Sequence, residues 1–130
     1  MGRRVAMAVT MLGTLWTSGC WGDGAPTAPS LTAIATITVA NETFRVRLTG
    51  DNQIAAARAA QAGGRAQIPN GRIVRGTQVN QGWSWHIEDV EFAESTIELC
   101  DGRPSDVERE GPAFGGGRFC PWTARTVRVD

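Results

Sequence analysis

With 130 residues the chain has room for one domain, and 42% hydrophobic with 20% charged residues excludes global disorder. Formal net charge is zero, which disfavours a nucleic-acid binder needing a basic surface. All 13 basic residues are arginine, which reads as compositional bias rather than a binding signal.

Residues 1–20 read as a targeting segment. Arg3 and Arg4 form a positive start, and Val5 to Leu15 an apolar run too short to span a bilayer comfortably. The segment ends Leu15-Trp16-Thr17-Ser18-Gly19-Cys20, and small residues before a cysteine resemble the lipobox of bacterial lipoproteins. Thr17 stands where that motif usually has leucine. The resemblance implies that Cys20 is lipidated and that the membrane is a partner through its acyl chains. The alternative is an ordinary secretory signal cut near Gly19 or beyond. Residues 21–30, rich in Pro and Gly, read as a flexible tether, and the folded domain is expected over residues 31–130.

Leu31 to Val39 and Phe44 to Leu48 alternate apolar with Thr or Arg, so they read as an antiparallel hairpin turning at Ala40-Asn41-Glu42. The outward arginines imply one wet face. Asp51 to Ala62 reads as an Ala-rich helix, capped by Asp51 and stopped by Gly63-Gly64. Ile68-Pro69-Asn70-Gly71 reads as a turn, Arg72 to Gly76 as a short strand and Thr77 to Gly82 as a loop.

The stretch from Gly82 to Asp101 organises the domain. Trp83, Trp85 and Ile87 share one side of a strand, and Val90 and Phe92 need a bend at Glu88-Asp89 to rejoin them. Ile97 and Leu99 change parity again, so a bulge is expected near Ala93–Ser95 with a strand beyond it. Ser105-Asp106-Val107-Glu108 fits a capping box opening a helical turn to about Glu110. Gly111 to Gly117 is a loop that is either mobile or tightly wrapped, and Ala124 to Val129 is the last strand.

Three cysteines suit an exported protein if one is spent on lipid. With Cys20 anchored, Cys100 and Cys120 remain as a disulfide pair in an oxidising compartment. One histidine and two distant cysteines lack the paired spacing of a zinc site. The acidic residues of the second half, from Glu88 to Glu110, show no calcium-loop spacing and read as a solvated face. No metal and no cofactor is expected.

His86 is the one candidate general base of its kind, with Ser84 two residues away. That pair lacks the turn that presents a nucleophile, so a hydrolase using His86 is the lesser reading. Trp83, Trp85, His86 and Trp122 form a candidate ligand platform for a sugar or peptide; the competing reading is core packing. Gln78-Val79-Asn80-Gln81-Gly82 with Pro121-Trp122 resembles the two hairpins of cystatin-type protease inhibitors. Asn80 stands there where an apolar residue is usual.

A broader resemblance rests on Trp83-Ser84-Trp85-His86, Val90-Glu91-Phe92-Ala93-Glu94, Cys100-Asp101-Gly102-Arg103-Pro104-Ser105 and Phe119-Cys120-Pro121-Trp122. Phe44-Arg45-Val46-Arg47-Leu48, Ile68-Pro69 and Val74-Arg75-Gly76 add to it. Together they resemble the "BP seventy-four-related" family of small secreted bacterial proteins, related to the N-terminal domain of a social-amoeba protein. The resemblance implies a secreted α+β domain with a Cys100–Cys120 bridge, and no catalytic residue. The expected architecture is α+β, an antiparallel sheet of about five strands with one helix packed on it. The expected function is a non-catalytic cell-envelope binding module for a protein or carbohydrate ligand.

Overall fold

Strands β1 (Thr32–Val39) and β2 (Glu42–Thr49) form the expected hairpin. Its two-residue turn, Ala40-Asn41, takes left-handed φ values of 47° and 69°, the backbone twist that joins antiparallel strands most closely. The computed structural model describes residues 31–130. The expected targeting segment, Cys20 and the expected tether lie outside the described residues.

Helix α1 (Asp51–Gln61) follows at once. Gly50, not Asp51, is its N-cap, and Gln53 of the first turn accepts the Thr49 N–H at 2.8 Å. Asp51 contributes instead as a negative charge in the first turn. Gly63, at φ 90°, ends the helix, as expected. Ala57 and Ala60 are buried and Ile54 is half-buried against the core, so small side chains let the helix lie close.

Strand β3 (Ile68–Arg75) begins where a turn was expected. Pro69 is tolerated because β5 (Arg118–Phe119) pairs only with Gly71 and Arg72, leaving one side of β3 without a ladder at Pro69. Strand β4 (Trp85–Ala93) runs antiparallel along the other side of β3. Its bend falls at Glu88-Asp89: Asp89 has φ 54°, and pairing slips between Asn70 and Arg72. The extra residue returns Val90 to the side of Trp85 and Ile87, and all three are buried. Opposite the bulge, a Cβ on Gly71 would lie 2.9 Å from Ile87 Cβ, so only glycine lets the strands approach there.

The expected single sheet of about five strands is corrected. The protein is α+β, with six strands in two three-stranded antiparallel sheets, ordered β2-β1-β6 and β4-β3-β5, where β6 is Arg125–Val129. Buried Asn80 bridges the two sheets where they face each other. Its Oδ1 accepts the Arg45 N–H of β2 at 2.9 Å, and its Nδ2 donates to the Trp85 carbonyl of β4 at 2.9 Å. Beside it Trp83 Nε1 donates to the Thr43 carbonyl at 2.8 Å. Edge groups of β2 are thus satisfied by side chains instead of a neighbouring strand.

A second correction concerns Ile97 and Leu99, expected in a strand. They flank and enter a 3₁₀ turn at Glu98–Cys100 and are 66% and 67% exposed. Cysteine sets this segment's orientation: Cys100 and Cys120 are disulfide-bonded, and the Cys120 N–H donates to the Cys100 carbonyl at 2.8 Å. With Cys100 turned inward, its apolar neighbours are left outside.

Helix α2 (Pro104–Glu110) starts one residue before the expected cap. Asp106 Oδ2 accepts the Arg103 N–H at 2.9 Å, while Glu42 takes both the N–H and hydroxyl of Ser105, each at 2.9 Å. The glycine loop is wrapped rather than loose. Phe114 is buried against Phe119, and the Gly117 carbonyl accepts the Ile73 N–H at 2.9 Å. Phe119 is the aromatic hub, with ring centroids 5.3 Å from Phe44, 5.4 Å from Trp85 and 6.0 Å from Phe114.

Candidate functional site

Successive side chains of a strand face opposite sides, so neighbouring Trp85 and His86 part company. Trp85 enters the core between Phe44 and Phe119. His86 is also buried, with Nδ1 2.6 Å from the Gly76 carbonyl and Nε2 2.9 Å from Glu88 Oε1. A carbonyl only accepts, which assigns the Nδ1 proton to that bond. Trp83 is half-buried and held by Thr43, while Trp122 is 40% exposed. The four side chains of the expected platform therefore do not stand in one exposed row.

Ser84 does not meet His86 through a hydrogen bond. Glu108 of α2 takes the Ser84 N–H at 3.0 Å and its hydroxyl at 2.8 Å. The same two-pronged contact joins Glu42 to Ser105, so α2 is pinned at both ends by carboxylates gripping serines. These acids sit far from their serines in sequence, which is why Glu108 reads from charge patterning as part of a solvated face and Glu42 as a turn residue.

The open surface lies elsewhere, on the outer face of the β2-β1-β6 sheet. Ala33, Ala35, Ile37 and Val39 turn inward, leaving Ile34, Thr36 and Thr38 outward. Cross-strand partners share a face. Thr36 stands between Arg45 on β2 and Arg128 on β6; Thr38 stands between Thr43 and Arg125; Ile34 faces Arg47. The register slip between Thr36 and Ile37 is what brings Arg125 and Arg128 to the same side. Within these three strands the single acid is Glu42, already engaged by Ser105.

The loop over residues 77–82 forms a wall to this face. It is braced by Asn80 N–H to the Thr77 carbonyl at 2.8 Å, and by the Thr77 hydroxyl to the Trp83 carbonyl at 2.8 Å. Asn80 turns in, and Gln78, Val79 and Gln81 line the depression it borders. Gln78 holds a left-handed φ of 49°, uncommon for a residue with a long side chain. Three shallow hollows of about 240, 320 and 400 Å³ adjoin here as a trough: the first two share Gln78, the first and third share Arg47, and the last two share Ile34 and Asp130. Glu88 and Asp89 border its far end, where Arg72 pairs with both. Asp130 pairs with Arg128; among the described residues Arg45 and Arg47 make no ion pair.

The family model for the BP seventy-four N-terminal domain matches residues 30–130. The chain belongs to that family. No curated protein and no solved structure matches it. Residues that carried the sequence resemblance build the scaffold of this BP seventy-four N-terminal domain: Trp85, Phe119 and both disulfide cysteines are buried. Gly102 adjoins the aromatic core, since a Cβ there would lie 2.7 Å from Phe114 Cζ.

Trp122 occupies a different corner of the BP seventy-four domain. Its N–H bonds Asp101 and its indole Nε1 bonds Thr96, both at 2.8 Å, beside exposed Ile97 and Leu99. The loop over residues 77–82 is hydrogen-bonded to β2 and β4, so the two segments compared with inhibitor hairpins hang on different partners. Among the described residues no cluster of three or more His, Cys, Asp or Glu is placed to hold a metal. No described helix is long and apolar enough to cross a membrane.

His86 and Glu88 also predict an acid response. The hydrogen bond from His86 holds the Glu88 carboxyl below its ordinary range, helped by the charges of His86 and Arg72 against the opposing effect of burial. A depressed folded-state pKa adds stability above the unfolded value, and loses it as pH falls through the folded value. The bond from His86 needs a proton on each ring nitrogen, so Glu88→Gln is expected to be less stable than the wild type at about pH 5–6, where an ordinary imidazole is protonated, with the gap closing below about pH 4. Urea midpoints of both proteins across that range measure it; a gap that widens below about pH 4 would contradict the assignment.

Proposed function

We propose that this protein is an exported, non-catalytic binding domain of the cell envelope, held at the membrane through lipidated Cys20. One observation carries the reading. The side chains that would do chemistry are committed to the scaffold, Ser84 to Glu108 and His86 to Gly76 and Glu88, whereas the polar trough on the β2-β1-β6 face stays open. General base catalysis needs a base within reach of a substrate proton, and a buried ring with both nitrogens occupied has no such reach. Trp83, Trp85 and His86 then serve by positioning β4 and the loop before it. The disulfide fits an oxidising compartment.

Cell fractionation tests the anchor. Wild-type protein is expected in the membrane fraction, and Cys20→Ser in the soluble exported fraction. Released Cys20→Ser protein is further expected to sediment with washed cell-envelope material from the producing cell. An unchanged membrane fraction for Cys20→Ser removes the anchor, and failure to sediment removes the binding role.

A further inference from the structure

Resting on the binding-module reading above, we propose that the trough takes an acidic glycan, a polysaccharide chain bearing carboxylate or sulfate groups. Charge gives the sign of the ligand. Arg45, Arg47, Arg125 and Arg128 rise from one sheet face whose strands contribute no acid except Glu42, taken by Ser105. Asp130 neutralises Arg128 but neither of the arginines on β2. Glu88 and Asp89, at the far end, are themselves paired with Arg72. A guanidinium presents its donors as a planar fork that fits carboxylate and sulfate oxygens in pairs.

Spacing and hydrogen bonding give the class. Arg45 and Arg47 lie two residues apart on one strand, roughly 7 Å, and Arg45 and Arg128 lie two strand spacings apart, roughly 9–10 Å. Thr36 places a hydroxyl between the second pair, and the amides of Gln78 and Gln81 border the same hollow. Alternating cations, hydroxyls and amides suits a chain that carries acid groups among sugar hydroxyls. The hollows are shallow and follow one another through shared lining residues, a shape for a thread rather than an enclosed small molecule. Among the described residues no aromatic side chain lines them. A single-stranded nucleic acid would lack the stacking platform on which such binding depends.

The loop makes the site more than a charged surface. Gln78 is presented by a left-handed backbone, and the hydrogen bonds of Asn80 fix that loop to both sheets. Ordering energy is thus spent in folding and not at binding, which raises affinity.

The test uses full-length Cys20→Ser protein and five immobilised probes: heparin, polygalacturonate, neutral dextran, polyglutamate and oligo-dT. Retention on heparin and polygalacturonate is expected, falling with added salt, with none on dextran. Arg45→Gln with Arg47→Gln is expected to weaken it at least tenfold without moving the urea midpoint. Gln78→Ala with Gln81→Ala is expected to weaken it at least threefold at fixed salt, leaving the salt dependence unchanged. Equal retention on dextran would overturn the proposal. So would polyglutamate or oligo-dT bound as tightly as the glycans, which would point to a peptide, a nucleic acid or bare charge. Wild-type affinity in the arginine pair would overturn it as well. Loss of glycan binding while the protein still sediments with the envelope refutes this ligand class alone; loss of both refutes the binding module itself.

Discussion

Replacing Cys100 and Cys120 together by serine is expected to destabilise the domain by about 3 kcal/mol, from the loop closure the bridge removes from the unfolded chain. The bridge spans 20 residues and closes α2, the glycine loop and β5 into one ring. For a domain of about 100 residues such a loss lowers the melting temperature by roughly 15 °C. Native-state effects act in the same direction. Both cysteines are buried with Ile68 in a small cluster of their own, apart from the main core. Gly115 rests on that cluster so closely that a Cβ would stand 2.7 Å from Cys100 Cα. Serine would place hydroxyls in a pocket shaped for sulfur, each needing a hydrogen-bond partner. Urea unfolding of the double variant measures the loss. A drop below about 1 kcal/mol would mean that docking of Phe114 on Phe119 already confines the loop before the bridge forms.

How much of this was legible in the sequence follows from how far apart interacting residues lie. The β1–β2 hairpin shows in the alternation of Val39 through Leu48 because its partners are neighbours in the chain and its turn is local. Helix α1 announces its end at Gly63 for the same reason. The disulfide follows from counting, since only two cysteines remain once Cys20 is set aside. Ile97 and Leu99 mislead because parity assumes that every apolar residue seeks the core. Here a covalent tie at Cys100 outweighs two side chains that together would offer only a few kcal/mol of burial. The trough was invisible for another reason. Arg45 and Arg128 meet only through β1, between segments at opposite ends of the domain, so their shared face exists only once the β1–β6 register is known. Part of the signal is local: Arg45 and Arg47 alternate on β2 and mark its wet face. Arg125 and Arg128 are three residues apart on β6, and only the register slip puts them on that face.

Asn80 is the residue whose loss should separate scaffold from site. Asn80→Ala is expected to cost about 2–6 kcal/mol, since it leaves the Arg45 N–H and the Trp85 carbonyl unpaired, at about 1–3 kcal/mol for each group. Its side chain is fully buried, so the void left behind adds to the loss. Asn80→Asp discriminates further. An ionised aspartate still accepts from Arg45 but presents a negative oxygen to the Trp85 carbonyl, where Nδ2 had donated. Burial and that carbonyl raise its folded-state pKa above the unfolded value, so the variant is expected to be least stable at neutral pH. It should recover as acid protonates the carboxyl and restores a donor. Amide hydrogen exchange gives the local reading: the Arg45 N–H should lose protection in Asn80→Ala and keep it in Asn80→Asp at acid pH. The loop that carries Gln78 and Gln81 hangs on the same two bonds. A variant that remains folded should therefore bind the trough's ligand more weakly while every arginine is still in place. Unchanged stability in Asn80→Ala would show that β2 and β4 satisfy their facing edges without it.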